Sequence, residues 1–412
     1  MADSLSEDRE RGGARAERPG ARPARPRSGM AKDVTRHAEI SRDEEWRLLA
    51  CGVDTLDLSA CVNWGKVWGS LSNELETGRQ NAQENNKPMP WRETQLGPCL
   101  VCPGGKPPMF RYHLQVSGFH LFVGINRDAD KSPNVYVSLN AKALWSQGVT
   151  AAVESVETLL EELGAEIKTV KPSRCDLCAD FLMPKGIRLE LLMHHGVPKN
   201  IFTSHILQGA ELETYYIGSR KGSIRGRVYD KTKEVLKNRK HWFMEVWKVE
   251  DCKDVWRVEF QFRRQALKAY GVETVGDLVD GLAGIWLDTT RNWYSLRLLD
   301  SKNTTRRSFH PWWVAVQECA EQFGPLCEMK RDFTRSCRAD SDYYVARAAN
   351  LLLGYAAIAG LPNLDDAVWE ESDQIQKRWA DRDFEEAYIL KVVELNESVK
   401  GDSREYEDEV PF

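Results

Sequence analysis

The chain has 412 residues, 57 of them Lys or Arg and 62 Asp or Glu, which sets a net charge of −5 at neutral pH and a pI near 6.0. That balance excludes a generally basic coat for nucleic acid, and the length allows one large domain with extensions or two domains. No apolar run reaches the roughly 18–20 residues a membrane span needs; with charges where a secretory signal needs apolar residues, and ten cysteines expected to be reduced, the chain reads as cytoplasmic.

Residues 1–29 are rich in Arg, Gly, Pro and Ala and can bury too little surface to offset chain entropy, so a disordered arm is expected, extending to residue 44. Met30 offers an alternative start. Cys51 to Ser59 predicts a first strand, and within 62–83 Val67, Trp68, Leu71 and Leu75 recur at helical spacing. The Pro- and Gly-rich stretch 84–108 predicts a loop. Strands follow over 110–125 and 134–140, then an amphipathic helix over 149–163 with Val153, Val156, Leu159, Leu160 and Leu163 on one side. Arg174 to Phe181 predicts a strand, 187–195 a helix, and 211–218 a strand that turns through 219–223 into another over 224–231. A helix over 231–249 joins that strand to one over 255–264. Beyond it the pattern is helical: 265–270, 274–287, 312–322, 343–359 and a charged helix over 373–399.

This order describes an α+β fold, an antiparallel sheet covered by helices on its apolar face. The groups near 51–145 and 174–264 read as two tandem copies of one strand–helix–strand unit. The expected division is the arm to residue 44, an α+β domain over 45–310, a helical C-terminal extension over 311–400 and an acidic tail at 401–412.

Charge is unevenly spread along the chain. Residues 220–310 carry 20 Lys and Arg against 12 Asp and Glu, and residues 361–412 carry 6 against 16. A locally basic sheet suits a polyanion held at one site. Over 224–231 the two-residue period puts Arg225, Arg227, Tyr229 and Lys231 on one face, and over 255–263 it puts Arg257, Glu259, Gln261 and Arg263 opposite Trp256, Val258, Phe260 and Phe262. Arg220 and Lys221 add charge in the turn between strands.

A phenol with an ordinary pKa of about 10 needs flanking cations or a metal to serve as a nucleophile. Arg227 and Lys231 flank Tyr229 in that way, although a strand tyrosine also packs by β-propensity alone. Asp176, Asp180 and Glu259 project from strand faces as the oxygen donors that Mg2+ or Mn2+ takes, or else they pair with Arg174, Arg257 and Arg263 on those faces. Cys99, Cys102, Cys175 and Cys178 have zinc-like spacing, but a strand over 174–181 turns Cys175 and Cys178 to opposite faces. His194 and His195 are adjacent, with no His-x-His pair in the chain, and suit a helix end.

The ordered set RCDLCADF, YYIGSRKGSIRGRVYDKTKE and WRVEFQFRR, within about 51–300, resembles the replication initiation factor (Rep_trans) family. That family holds rolling-circle plasmid replication initiators and related relaxases of conjugative elements. The resemblance implies a DNA endonuclease that acts on an origin hairpin through a covalent 5′-phosphotyrosine on Tyr229. It further implies a divalent metal, Mg2+ or Mn2+, at Asp176 and Glu259, with Asp180 as a third candidate. Arg220, Lys221, Arg225, Arg227, Lys231, Arg257 and Arg263 are then expected to hold single-stranded or supercoiled DNA. A host helicase and a second copy of the chain are further partners to expect, and a membrane is not. The alternative is a non-catalytic DNA-binding regulator of replication or copy number, which needs the arginines but neither Tyr229 nor metal.

Overall fold

Two 17-residue strands, β1 (Arg47–Asn63) and β7 (Glu166–Leu182), form the spine of the computed structural model. It describes residues 46–130, 132–198, 201–331, 341–385 and 387–388. The arm to residue 44, any helix beyond Tyr388 and the tail at 401–412 lie outside the described residues. β1 and β7 pair antiparallel along their whole length, from Arg47 opposite Leu182 to Asn63 opposite Glu166.

After β1 come α1 (Trp68–Glu84), β2 (Met89–Thr94), β3 (Gly97–Val101), β4 (Phe110–Val116), β5 (Phe119–Gly124), β6 (Val135–Leu139) and α2 (Ala141–Glu162). After β7 come α3 (Leu189–His195), β8 (Gly196–Val197), β9 (Thr203–Gln208), β10 (Glu211–Ile217), β11 (Ile224–Asp230), α4 (Lys231–Lys237), α5 (Phe243–Trp247) and β12 (Val255–Arg263). The fold is α+β, with eleven strands in the order β2-β3-β4-β5-β6-β1-β7-β12-β11-β10-β9, all neighbours antiparallel. In each half a long strand leads through a helix to a meander, and the half's last strand, β6 or β12, returns beside the long one. The two units read from the sequence are thus the two halves of one sheet. The rest is mainly helical: α6 (Arg264–Ala269), α7 (Val275–Asp288), the short β13 (Ser295–Leu296), α8 (Pro311–Glu318), α9 (Ala320–Phe323), α10 (Ser341–Ala359) and α11 (Leu364–Trp379).

The strand period sorts residues between faces as the sequence predicts. Leu177, Ala179 and Phe181 of β7 and Val258, Phe260 and Phe262 of β12 join one large core with Val153, Val156 and Leu160 of α2 and Ile285 and Trp286 of α7. On the opposite face α4 and α5 build a small second cluster, Val235, Phe243, Trp247 and Val255, with Leu49 and Ala50 of β1 against it. No helix among the described residues is long and apolar enough to cross a membrane.

Three expectations are corrected. The stretch 84–108 contains the hairpin β2–β3, whose prolines read as loop; Pro90 is tolerated because β2 is a sheet edge. The helix over 231–249 is two helices, since Arg239 adopts φ of 54° and ends the first. The charged C-terminal helix starts earlier, at Leu364, and breaks after Trp379, with helical residues again at 384–385 and 387–388; residues 389–399 of the expected helix lie outside the described residues.

Candidate active site

Antiparallel register brings the charged faces of β7, β12 and β11 side by side. Arg227 stands opposite Glu259, Tyr229 opposite Arg257, Gln261 opposite Asp176 and Arg257 opposite Asp180. β11 passes directly into α4, with the Asp230 side chain accepting from the Lys233 amide as the helix N-cap. The sequence Tyr-Asp-Lys-Thr-Lys-Glu therefore places Tyr229 at the last turn of the strand and a basic helix wall next to it.

A cavity of about 760 Å3 opens at this junction, lined among others by Asp54, Arg174, Asp176, Tyr216, Arg227, Tyr229 and Glu259. The Tyr229 hydroxyl donates to Glu259 Oε2 at 2.9 Å, while Arg227 donates to Glu259 Oε1. The same Arg227 nitrogen lies 3.5 Å from Asp176 Oδ2, and Arg174 grips both Asp176 oxygens at 2.8 and 2.5 Å. Two carboxylates thus converge on one guanidinium beside a phenol. Burial pushes the Asp176 carboxyl up to about 7; the Glu259 charge adds to this and Arg174 opposes it. Burial, and then the Glu259 charge, also hold the Tyr229 phenol well above its usual range, against the pull of Arg257 and Arg227. The resting nucleophile candidate is therefore protonated, and its proton already points at a carboxylate.

Asp180 and Arg257 lie elsewhere. Arg257 is fully buried and donates to Asp180 through Nε at 2.5 Å and Nη2 at 2.7 Å, and also to Asp54. Trp247 of α5 donates to the same Asp180 at 2.7 Å. The pair lies beneath α5 and does not line the cavity. Lys231 lines it but is 1% exposed, its ammonium 2.6 Å from Glu234. Arg225 flanks the site on the outer side, its guanidinium 4.3 Å from the Tyr216 ring centre and its buried Nε without a hydrogen-bond partner. Burial, and repulsion from Arg227, Arg220 and Arg263, lower the Arg225 pKa. Exposed Arg263 bonds the carbonyls of Arg220 and Lys221, so the hairpin turn and the end of β12 form one basic corner.

The sequence reading missed Asp54, Thr214 and Tyr216 as cavity residues, and it missed the basic wall formed by Lys233 and Lys237 of α4 and by Lys240 just beyond its end. Lys233 and Lys237 had a signal: spaced by four residues just after the tyrosine strand, they share one helix face.

The cysteines follow the strand argument. Cys175 faces the core, Cys178 lies on the other face against the Gly52 carbonyl, and no cluster of three metal-binding side chains occurs among the described residues.

No known family model matches the chain, and no curated protein does. Among solved structures, that of a rolling circle replication initiator protein from Geobacillus stearothermophilus is similar over 69% of this chain and 100% of its own, at 15% identity and a TM-score of 0.38. A likeness of that size assigns no role to any residue in this chain.

Proposed function

We propose that this chain is a DNA nicking and joining enzyme of the kind that starts rolling-circle replication or conjugative transfer, with Tyr229 as its nucleophile. The observation that carries the reading is the hydrogen bond from the Tyr229 phenol to Glu259 in a cavity walled by arginines and lysines. Glu259 Oε2 takes the phenol proton as the Tyr229 oxygen attacks a backbone phosphorus. The P–O3′ bond breaks, the 3′ oxygen leaves and is protonated, and the 5′ phosphate stays on Tyr229. One phosphodiester is exchanged for another, so rejoining the strand requires no ATP. Arg227 and Arg174 meet the charge that builds on the phosphate oxygens.

The donor set suits a divalent ion. Asp176 and Glu259 are hard oxygen donors that converge on the Arg227 guanidinium, with Arg174 holding Asp176 from the other side. Mg2+ is commonly held by one or two carboxylates with waters and substrate phosphates completing its shell. Asp176 and Glu259 are the residues that would hold Mg2+ or Mn2+, and Asp180, already bonded to Arg257 and Trp247, is not. When bound, the ion would polarise the phosphate as a Lewis acid. A host helicase is the partner this chemistry implies, because a nick alone does not unwind the duplex.

The test uses supercoiled plasmid carrying the DNA that flanks the protein's own gene, with Mg2+. The wild-type chain is expected to give relaxed circles with protein on the 5′ end, and Tyr229→Phe is expected to give none while still binding the DNA. Nicking by Tyr229→Phe at the wild-type rate overturns the nucleophile assignment. Tight, salt-dependent binding with no adduct from the wild type would support the non-catalytic regulator instead.

A further inference from the structure

The face that carries Tyr229 continues without a break into the first half of the sheet. Asp57 of β1 stands at the same distance along its 17-residue strand as Asp176 along β7, and it pairs across the central seam with Arg174. Arg174 therefore belongs to both sides: it lines the cavity and holds Asp176, and it also feels the Asp57 charge. Beyond Asp57 the register carries the same face through Ser138 and Tyr136 of β6, His120 and Phe122 of β5 and His113 of β4.

These strands alternate, apart from a bulge between Phe110 and Tyr112 in β4, which leaves the Phe110 ring 5.8 Å from that of Tyr136, and buried Gly124 at the end of β5. From Tyr112 on, every second residue is buried in the core, and the intervening residues, mostly half-buried, face the other way. The second set is dominated by rings. His113 stacks on Phe122 at 4.3 Å between ring centres, Phe122 lies 6.1 Å from Tyr136, and His113 and His120 share a 2.9 Å contact between ring nitrogens. The loop before β4 brings the Lys106 ammonium to 3.7 Å from the Tyr136 ring centre and 5.0 Å from that of Phe122. Asp57 adds little exposed negative charge, since it is buried and accepts from Tyr136 at 2.6 Å and Ser138 at 2.7 Å.

Partly exposed rings, packed on one another with a lysine over two of them and Arg174 farther along the same face, offer what an unpaired strand needs: flat apolar surface for bases and positive charge for phosphates. We infer that the face formed by β4, β5, β6 and β1 holds the single-stranded DNA that leads into the Tyr229 cavity, its bases against Phe122, Tyr136 and His113 and its phosphates drawn to Lys106 and Arg174. This rests on the nicking reading for the identity of the strand. From β12 to β5 is four strand spacings, about 19 Å across the sheet, and the register sets Phe122, level with Ser59, seven residues farther along the strands than Glu259, level with Gly52. The track thus reaches well beyond the scissile phosphate.

The test measures binding of a labelled oligodeoxythymidine in EDTA, where no nicking is required. Phe122→Leu keeps the apolar bulk but removes the ring face, and it is expected to weaken binding at least about 5-fold, the lower end of what one base–aromatic stack contributes. Lys106→Gln is expected to lower the slope of log affinity against log salt by about 0.7. A duplex of the same length should bind Phe122→Leu and wild type alike. A Phe122→Leu protein that is folded by circular dichroism and binds the oligonucleotide as tightly as the wild type refutes the track, as does an equal loss for duplex. Failure of the nicking reading shows separately, as wild-type protein that forms no adduct yet still loses oligonucleotide affinity through Phe122→Leu.

Discussion

Replacing Arg257 by methionine separates a buried structural pair from a DNA contact. The guanidinium donates twice to Asp180 and once to Asp54, with Arg257 and Asp180 both fully buried. Methionine fills much of the space but leaves Asp180 with only the Trp247 indole as a donor, an uncompensated buried charge. Removing one partner of such a pair costs about 3–5 kcal/mol. The double variant Arg257→Met/Asp180→Asn keeps an acceptor for Trp247 and removes the stranded charge, so its cost should fall to about 1–3 kcal/mol. Urea unfolding followed by tryptophan fluorescence reads both. Acid sensitivity should change as well: burial opposes ionisation of Asp54, but Arg257 and then Lys231 hold its pKa below the usual carboxylate range. A depressed carboxylate stabilises the fold above the unfolded pKa and loses that contribution as pH falls through the folded one, so the acid-labile part should shrink in Arg257→Met. If Arg257→Met unfolds at the wild-type urea concentration and instead lowers the salt slope of DNA binding, Arg257 touches phosphate and the buried placement is wrong.

Glu259→Gln removes both the proton acceptor for Tyr229 and a charged oxygen donor; nicking should slow by roughly 10²–10⁴-fold and require more Mg2+. An unchanged rate and metal dependence would reduce Glu259 to an ion-pair partner of Arg227. Asp176 gives the opposite pH sign from Asp54. Its folded pKa is raised to about 7, so in EDTA its own contribution to stability is greatest below the ordinary carboxylate range and is lost as pH rises toward 7. Asp176→Asn should flatten that slope in pH-dependent unfolding, and a slope that persists in the variant would assign it elsewhere. Arg225→Gln with Arg263→Gln should lower the salt slope for single strands by about 1.4, equally for origin and unrelated sequences, because phosphate contacts position without reading bases. A sequence-selective loss would show instead that one of them reads a base.

The strand period by itself determined which residues share a face. Alternation is a property of the extended backbone, so Arg227 and Tyr229 were assigned to one face of their strand, and Glu259 to the face opposite Phe260 and Phe262 on its own, before any strand had a neighbour. It also revealed the two repeated units, because each half carries its own run of strand and helix signals. It failed where local chemistry imitates a loop, as at Pro90 and Pro98 in the β2–β3 hairpin, and at β9, an edge strand whose side chains are mostly exposed and leave no apolar alternation to read.

What covers a face is a different matter, because burial depends on chain distant in sequence. Arg257 and Arg225 look alike from the sequence, each an alternate residue of a basic strand. Phe243 and Trp247 close over the first and turn it into half of a buried pair, while the second stays at the rim beside Tyr216. Asp176 and Asp180 divide in the same way, one toward Arg227 and the cavity, the other toward Arg257. Only the antiparallel register of β7, β12 and β11, set by side-chain packing across the whole sheet, brings the Tyr229 phenol to Glu259 and leaves those two carboxylates with different surroundings.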